Sequence, residues 1–202
     1  MSGILKVGGS ELINDNGGSG SLQWVSGVPA GSVLQVVESR KTDVETIATA
    51  DLSTFVDVSG TDQVGSGSVF CCKITLSSSS NKVFVIASGA AGSDGAVTSA
   101  LNMKRTISST DTYPYQGDTA LGYNSIGSAS LYGGSADDNN NETFLMSFVD
   151  SPNTTNEVQY TLQAATQATT AQMRINGLGS DNSGQAYSVR SPSSIILMEI
   201  AT

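Results

Sequence analysis

Apolar residues in this chain come in short, β-branched strings that polar clusters keep cutting, and that pattern favours strands. Residues 32–39 (SVLQVVES), 44–50 (VETIATA) and 54–58 (TFVDV) are of this kind, each closed by a polar turn. Residues 68–76 (SVFCCKITL) and 82–87 (KVFVIA) flank SSSSN, which reads as a loop between antiparallel neighbours. In 156–163, Val158, Tyr160 and Leu162 alternate with Gln159, Thr161 and Gln163, the period of a half-buried strand. Residues 170–175 repeat the alternation through Ala171, Met173 and Ile175, and 143–149 (TFLMSFV) is another apolar string. The segment 194–200 (SIILMEI) is too apolar for an edge and predicts a central strand, with a buried helix as the alternative.

Two stretches are less regular. Segment 97–107 (VTSALNMKRTI) tolerates strand or helix, since Ala100, Leu101 and Met103 suit either. From about 108 to 141 the chain holds TYPYQGD, a Gly-rich GYNSIGSASLYGG and DDNNN, which predicts exposed loops. About nine short strands without a convincing helix indicate an all-β fold, a jelly-roll-like antiparallel β-sandwich. No heptad, collagen triplet or other fibre repeat is present, so the chain cannot build a long shaft. Residues 1–24 read as an N-terminal arm before a domain at 25–202. Its apolar residues Ile4, Leu5, Val7, Leu12, Ile13 and Trp24 are the candidate anchoring positions.

Composition narrows the function. At 202 residues one domain buries a core without disulfide help. Only 13% of residues are charged and the net charge is −9, so phosphate backbones find no basic footprint and nucleic acid is not expected as a partner. No apolar run approaches the roughly 20 residues that span a bilayer, and residues 1–20 lack the apolar stretch of a signal peptide. The expectation is a protein made in a cytoplasm, without membrane insertion. Its surface is wetted by neutral Ser, Thr, Asn and Gly.

Chemistry is scarce. The chain has no histidine, which removes Ser-His-Asp and Cys-His nucleophile activation, His metal sites and the commonest general base. Asp137, Asp138 and Glu142 sit in one predicted loop, not on facing strands, so paired-carboxylate hydrolysis is not expected. DDNNNE offers oxygen ligands for Ca²⁺ but lacks EF-hand spacing and reads as a solvated acidic turn. Cys71 and Cys72 are neighbours, so in a strand they point to opposite faces and pack as small apolar groups. Neither a catalytic, a metal nor a cofactor site is expected. Tyr113, Tyr115, Tyr123 and Tyr132 lie in the irregular middle as candidate outward-facing loop contacts. Aromatics on such loops stack sugar rings or dock partners, and equally cap the end of a sandwich or lie at subunit contacts.

Several strings taken in order carry a resemblance. PAGSVLQVVESRKTD (29–43), SSSSNKVFV (77–85), VDSPNTTNEVQYTLQ (149–163) and SSIILMEIAT (193–202) resemble a structural module of tailed-phage virion proteins, especially from phages of marine bacteria and cyanobacteria. The module occurs in head appendages, knob-like capsid decorations and tail-fibre tips. The opening ILKVGGSELINDNGGSGSLQW resembles the short arm that precedes it. The resemblance covers roughly residues 1–90 and 143–202 and carries no catalytic residues.

It implies a jelly-roll domain assembled with copies of itself, usually as a trimer, at a virion surface. The major capsid protein or another virion protein would be the partner of the arm. The head is preferred over the tail, because one small domain with an arm suits a knob better than a fibre. The alternative is a receptor-binding tail-fibre tip that contacts host surface glycan through loops 108–141.

Overall fold

A computed structural model describes residues 4–7, 10–14, 23–24, 28–60, 69–94, 97–118, 127–132, 140–179 and 190–202. All regular elements among them are strands. The first three are β1 (Ile4–Val7), β2 (Ser10–Asn14) and β3 (Gln23–Trp24). They form their own antiparallel sheet, with Leu5 opposite Ile13 and Ile13 opposite Trp24. The expected arm therefore contains a small paired meander. Of the anchoring positions Ile4, Leu5, Val7, Leu12, Ile13 and Trp24, the backbone is placed and the side chains lie outside the described residues.

Two further sheets make the sandwich. The strands are β4 (Val33–Lys41), β5 (Glu45–Ile47), β6 (Val56–Asp57), β7 (Cys71–Thr75), β8 (Lys82–Asp94) and β9 (Thr98–Ile107). They continue with β10 (Thr110–Thr112), β11 (Ala129–Tyr132), β12 (Glu142–Asp150), β13 (Glu157–Thr166), β14 (Gln172–Ile175) and β15 (Ser193–Ile200). Four pairs of segments share one neighbour in consecutive registers and act as single interrupted strands. β4 and β5 lie along β15 and β14, which in turn lie along β8. β6 and β7 lie along β13, and β10 and β11 along β9.

Counted this way there are eight strand positions. One sheet has the order first–eighth–third–sixth and the other second–seventh–fourth–fifth, every neighbour antiparallel. The first strand pairs with the eighth, the second with the seventh, the third with the sixth and the fourth with the fifth. This is one long hairpin wound into two sheets, the strand order of a jelly roll. The inward faces carry Val83, Val85, Phe144, Met146, Ile195 and Leu197 from one sheet. Leu101, Met103, Val158, Tyr160, Leu162 and Ile74 come from the other, all buried in one cluster.

Several expectations change. The SSSSN loop does not join paired neighbours: β7 and β8 belong to different sheets, so residues 77–81 cross the sandwich. The ambiguous 97–107 is strand β9, because it fills the centre of its sheet between β13 and β10/β11. The stretch 108–141 is not all loop, since β10 and β11 inside it supply the fifth position. β13 is buried on both faces beyond Tyr160, with Thr161 and Gln163 covered as well as Leu162. Neighbouring polar side chains close over it, Gln163 donating to Asp57 at 2.7 Å. The terminal strand is central, as its composition predicts, with β4 on one side and β8 on the other. Cys71 and Cys72 are both buried and form no disulfide.

The break between β14 and β15 is closed by one residue. Asn176 is fully buried with a positive φ of 64°. Its Nδ2 donates to the carbonyls of Lys41 (2.9 Å) and Asp43 (3.0 Å), where β4 hands over to β5. Its Oδ1 accepts from Ser193 Oγ at 2.6 Å, and its N–H donates to the Ala90 carbonyl. Gly89 in the adjoining strand leaves room for this closure, since a Cβ there would meet Ser193 Oγ and the Phe144 ring.

An Asn176→Ala variant loses these bonds and keeps the left-handed strain. It should lower unfolding free energy by about 3 kcal/mol in urea denaturation. Asn176→Gly should cost about 1 kcal/mol less than Ala, because glycine adopts positive φ freely. Equal losses would show that the backbone conformation contributes nothing.

Candidate functional site

The two sheets turn unlike faces outward. Along β4, β15, β8 and β12 the register aligns outward side chains in cross-strand rows. One row is Val36, Met198, Phe84 and Val149. The next is Glu38, Ile196, Ile86 and Ser147, and the third is Arg40, Ser194, Ser88 and Leu145. Seven of these twelve are apolar, and the two charges sit side by side on the β4 edge. Val36, Val149 and Leu145 are 56%, 59% and 67% exposed, unusual for side chains of this size.

The outward face of the other sheet is polar and ion-paired. Lys104 Nζ lies 2.8 Å from Asp57 and 3.7 Å from Asp111, and Lys73 Nζ lies 2.9 Å from Glu157. Thr106 donates to Asp111 at 2.6 Å. The Lys104 amine is held above its usual range: burial works against it, and the Asp57 carboxylate outweighs that. A cleft of about 340 Å³ at this end is lined by Thr106, Ser108, Ser109, Asn156, Glu157 and Gln159. Ser108 and Ser109, both with positive φ, make the two-residue turn between β9 and β10.

The tyrosines do not form one patch. Tyr115 stacks on Phe148 with ring centroids 4.8 Å apart and planes 5° from parallel, so it closes the side of the sandwich. Tyr113 stands near the Lys104 ammonium and is exposed. Tyr132 is the last residue of β11, opposite Thr98, and is exposed from a strand and not from a loop. Thr112, beside Tyr113, pairs with Arg105, so Tyr113 and Tyr132 lie roughly 20 Å apart along β9 at ~3.3 Å per residue. Tyr123 lies outside the described residues.

Buried polar groups inside the sandwich act as pins. Arg105 Nη1 donates to both carboxylate oxygens of Asp150 at 2.8 Å, and the Tyr160 hydroxyl donates to Asp150 Oδ2 at 2.7 Å. Burial and the Asp150 charge drive the Tyr160 hydroxyl well above its usual range, so it stays a donor. Burial also pushes the Cys72 thiol up to about 12, which keeps it protonated and inert.

Lys41 is completely buried at the opposite edge, 2.8 Å from Asp43 and 3.6 Å from Glu45, and Glu45 also accepts the Ser59 N–H. Among the described residues no cluster of three or more His, Cys, Asp or Glu side chains could hold a metal ion. Asp137 and Asp138 lie outside them, while Glu142 opens β12.

Glu199 is a pin that the sequence pattern hides inside an apolar strand. It is 1% exposed. Oε1 accepts from the Ser77 N–H, Ser77 Oγ and Asn81 Nδ2, each at 2.7 Å, and Oε2 accepts from Gln35 Nε2 at 2.6 Å. The carboxylate thus fastens the crossing loop 77–81 to the terminal strand. Burial alone would raise its pKa, but the bonds from Asn81, Ser77 and Gln35 hold it below the ordinary 4.5.

No protein-family model matches the chain, and no curated protein matches its sequence. Among solved structures, it is similar to a chain in the structure of infectious bursal disease virus Gx strain, with 7% identity and a TM-score of 0.43. That alignment covers all of this chain and 43% of the viral one, so the chain spans less than half the length of that protein.

A depressed carboxyl adds stability that is full above its unfolded pKa and is lost as pH falls through its folded one. The Glu199 contribution should therefore disappear below pH 4.5. Glu199→Gln should be less stable than the parent by about 2 kcal/mol at neutral pH, the two curves converging as acid is added. Parallel curves in a pH series of urea melts would remove Glu199 as the origin.

Proposed function

We propose that the chain is a non-catalytic structural protein of a tailed-phage virion, a short homo-oligomeric appendage or capsid decoration held on the particle through residues 1–24. Three copies are the favoured assembly. The observation that carries this reading is the nearly uncharged outward face of the β4–β15–β8–β12 sheet, on a chain whose net charge is −9. Burying neutral side chains between subunits costs little desolvation, whereas acidic surfaces repel one another. A jelly roll is also an architecture used for capsid and lectin domains. The order of the four strings resembling virion modules supports the particle as the setting.

The anchoring role falls to residues 1–24, whose strands form a sheet separate from the two of the sandwich. The major capsid protein or another virion protein would receive them. A second reading, a tail-fibre tip contacting host glycan through 108–141, is favoured by the hydroxyl- and amide-lined cleft beside the Ser108–Ser109 turn. Among the described residues of that stretch, Tyr113 and Tyr132 are exposed and leave a ring to stack on a sugar, while Tyr115 is stacked on Phe148.

Antibody labelling of intact virions separates the readings. Label spread over the head is expected, and label confined to the tail would sink the decoration reading. Protein lacking residues 1–24 should fold, with an unchanged thermal transition for the sandwich, and fail to join particles. Truncated protein that still decorates virions would remove the anchor assignment.

A further inference from the structure

We infer that a second copy of this chain seats on the outward face of the β4–β15–β8–β12 sheet, with the β12 edge in the contact centre and the β4 edge at its rim. This rests on the self-assembly proposed above and names the surface that performs it. The two edges of the face differ in charge. On β12 the outward residues of the three rows are Leu145, Ser147 and Val149, with no charge among them, the exposed Glu142 lying at the far start of the strand. Two of the three, Leu145 and Val149, are large, apolar and mostly exposed. On β4 they include Glu38 and Arg40, adjacent in successive rows. Between them lie Ile196, Met198, Phe84 and Ile86, partly covered by their neighbours and forming an apolar floor. Interface centres are depleted in charge and their rims are polar, which fixes the orientation.

The occupant follows from charge as well as from apolarity. A chain of net charge −9 repels its own copies over most of its surface. This face escapes that repulsion, because its charges are Glu38, Arg40 and, in the row beyond Phe84, the exposed Lys82, which leave no excess of negative charge, and the other ten positions of the three rows are uncharged. The cancelling pair is also self-complementary: an Arg40 at the rim of one copy meets a Glu38 at the rim of another. The opposite sheet lacks this property. Its outward Lys104, Asp57, Asp111, Lys73 and Glu157 are already paired within the chain.

The test is light scattering across protein concentration on the full-length chain. The parent should give a multiple of 20.7 kDa. Leu145→Glu and Val149→Glu each place a charge in the contact centre and should raise the dissociation constant by roughly tenfold or more. Both side chains are mostly exposed, so the variants should keep the parent's circular dichroism and melting transition. Thr110→Glu adds the same charge to an exposed residue of the other sheet and should leave the mass unchanged.

A parent that oligomerises while both β12 variants retain its mass overturns this face and leaves self-assembly standing. A parent that is monomeric at every concentration overturns both. A loss of mass in Thr110→Glu equal to that of the β12 variants would show added charge, and not this face, to be the cause, and would also overturn it.

Discussion

The sandwich depends on its final strand. β15 lies between β4 and β8, so eight residues at 193–200 join the first strand of the wound hairpin to the third. The inward Ile195 and Leu197 fill the core between those neighbours, each fully buried side chain contributing about 2 kcal/mol. Glu199, one step further along the same face, ties in the loop that crosses to the other sheet. The strand is reached only after the chain leaves β14 and returns, and Asn176 seals that interruption from β4, β8 and β15 at once. A chain that must bring residues 33–41 against 193–200 has a high contact order, and slow folding is the physical consequence.

From that closure the two outward faces acquire their characters. Registering β4, β15, β8 and β12 stacks Val36, Met198, Phe84 and Val149 into one apolar row. In the other sheet the same kind of registration brings Lys104 to Asp57 and Lys73 to Glu157, giving a surface whose charges are satisfied within the chain. A protein with one neutral face and one ion-paired face is directional: the first favours covering and the second favours water. The proposed self-assembly draws on that polarity. The Arg105–Asp150–Tyr160 and Lys41–Asp43–Glu45 groups pin the two ends of the sandwich.

Much of this was legible in the sequence because period-two alternation survives in β12, β14, β15 and the first half of β13. Val158, Tyr160 and Leu162 point inward together, and the apolar 194–200 is central. What alternation cannot express is which strand meets which. The loop 77–81 looks the same whether it joins partners or crosses between sheets, and the Glu199 that fastens the crossing is remote in sequence. β10 (TDT) and β11 (ASLY) carry too little β-branched pattern to stand out; they are strands because β9 offers them a ladder. The tyrosines were visible as a group in one irregular stretch, yet Tyr115 packs on Phe148 while Tyr113 and Tyr132 lie well apart along β9. The apolar face was invisible as a face, since its four strands lie far apart along the chain.

The central claim is that this jelly roll covers its neutral sheet face against its own kind and leaves its ion-paired face to solvent. An electron cryomicroscopy map of the purified assembly, or of a particle that carries it, tests this most directly. The account requires density of a neighbouring copy over Leu145, Val149, Phe84 and Met198, with Lys104 and Glu157 facing solvent. A map with the β4–β15–β8–β12 face open to water and the Lys104 face in contact would contradict it.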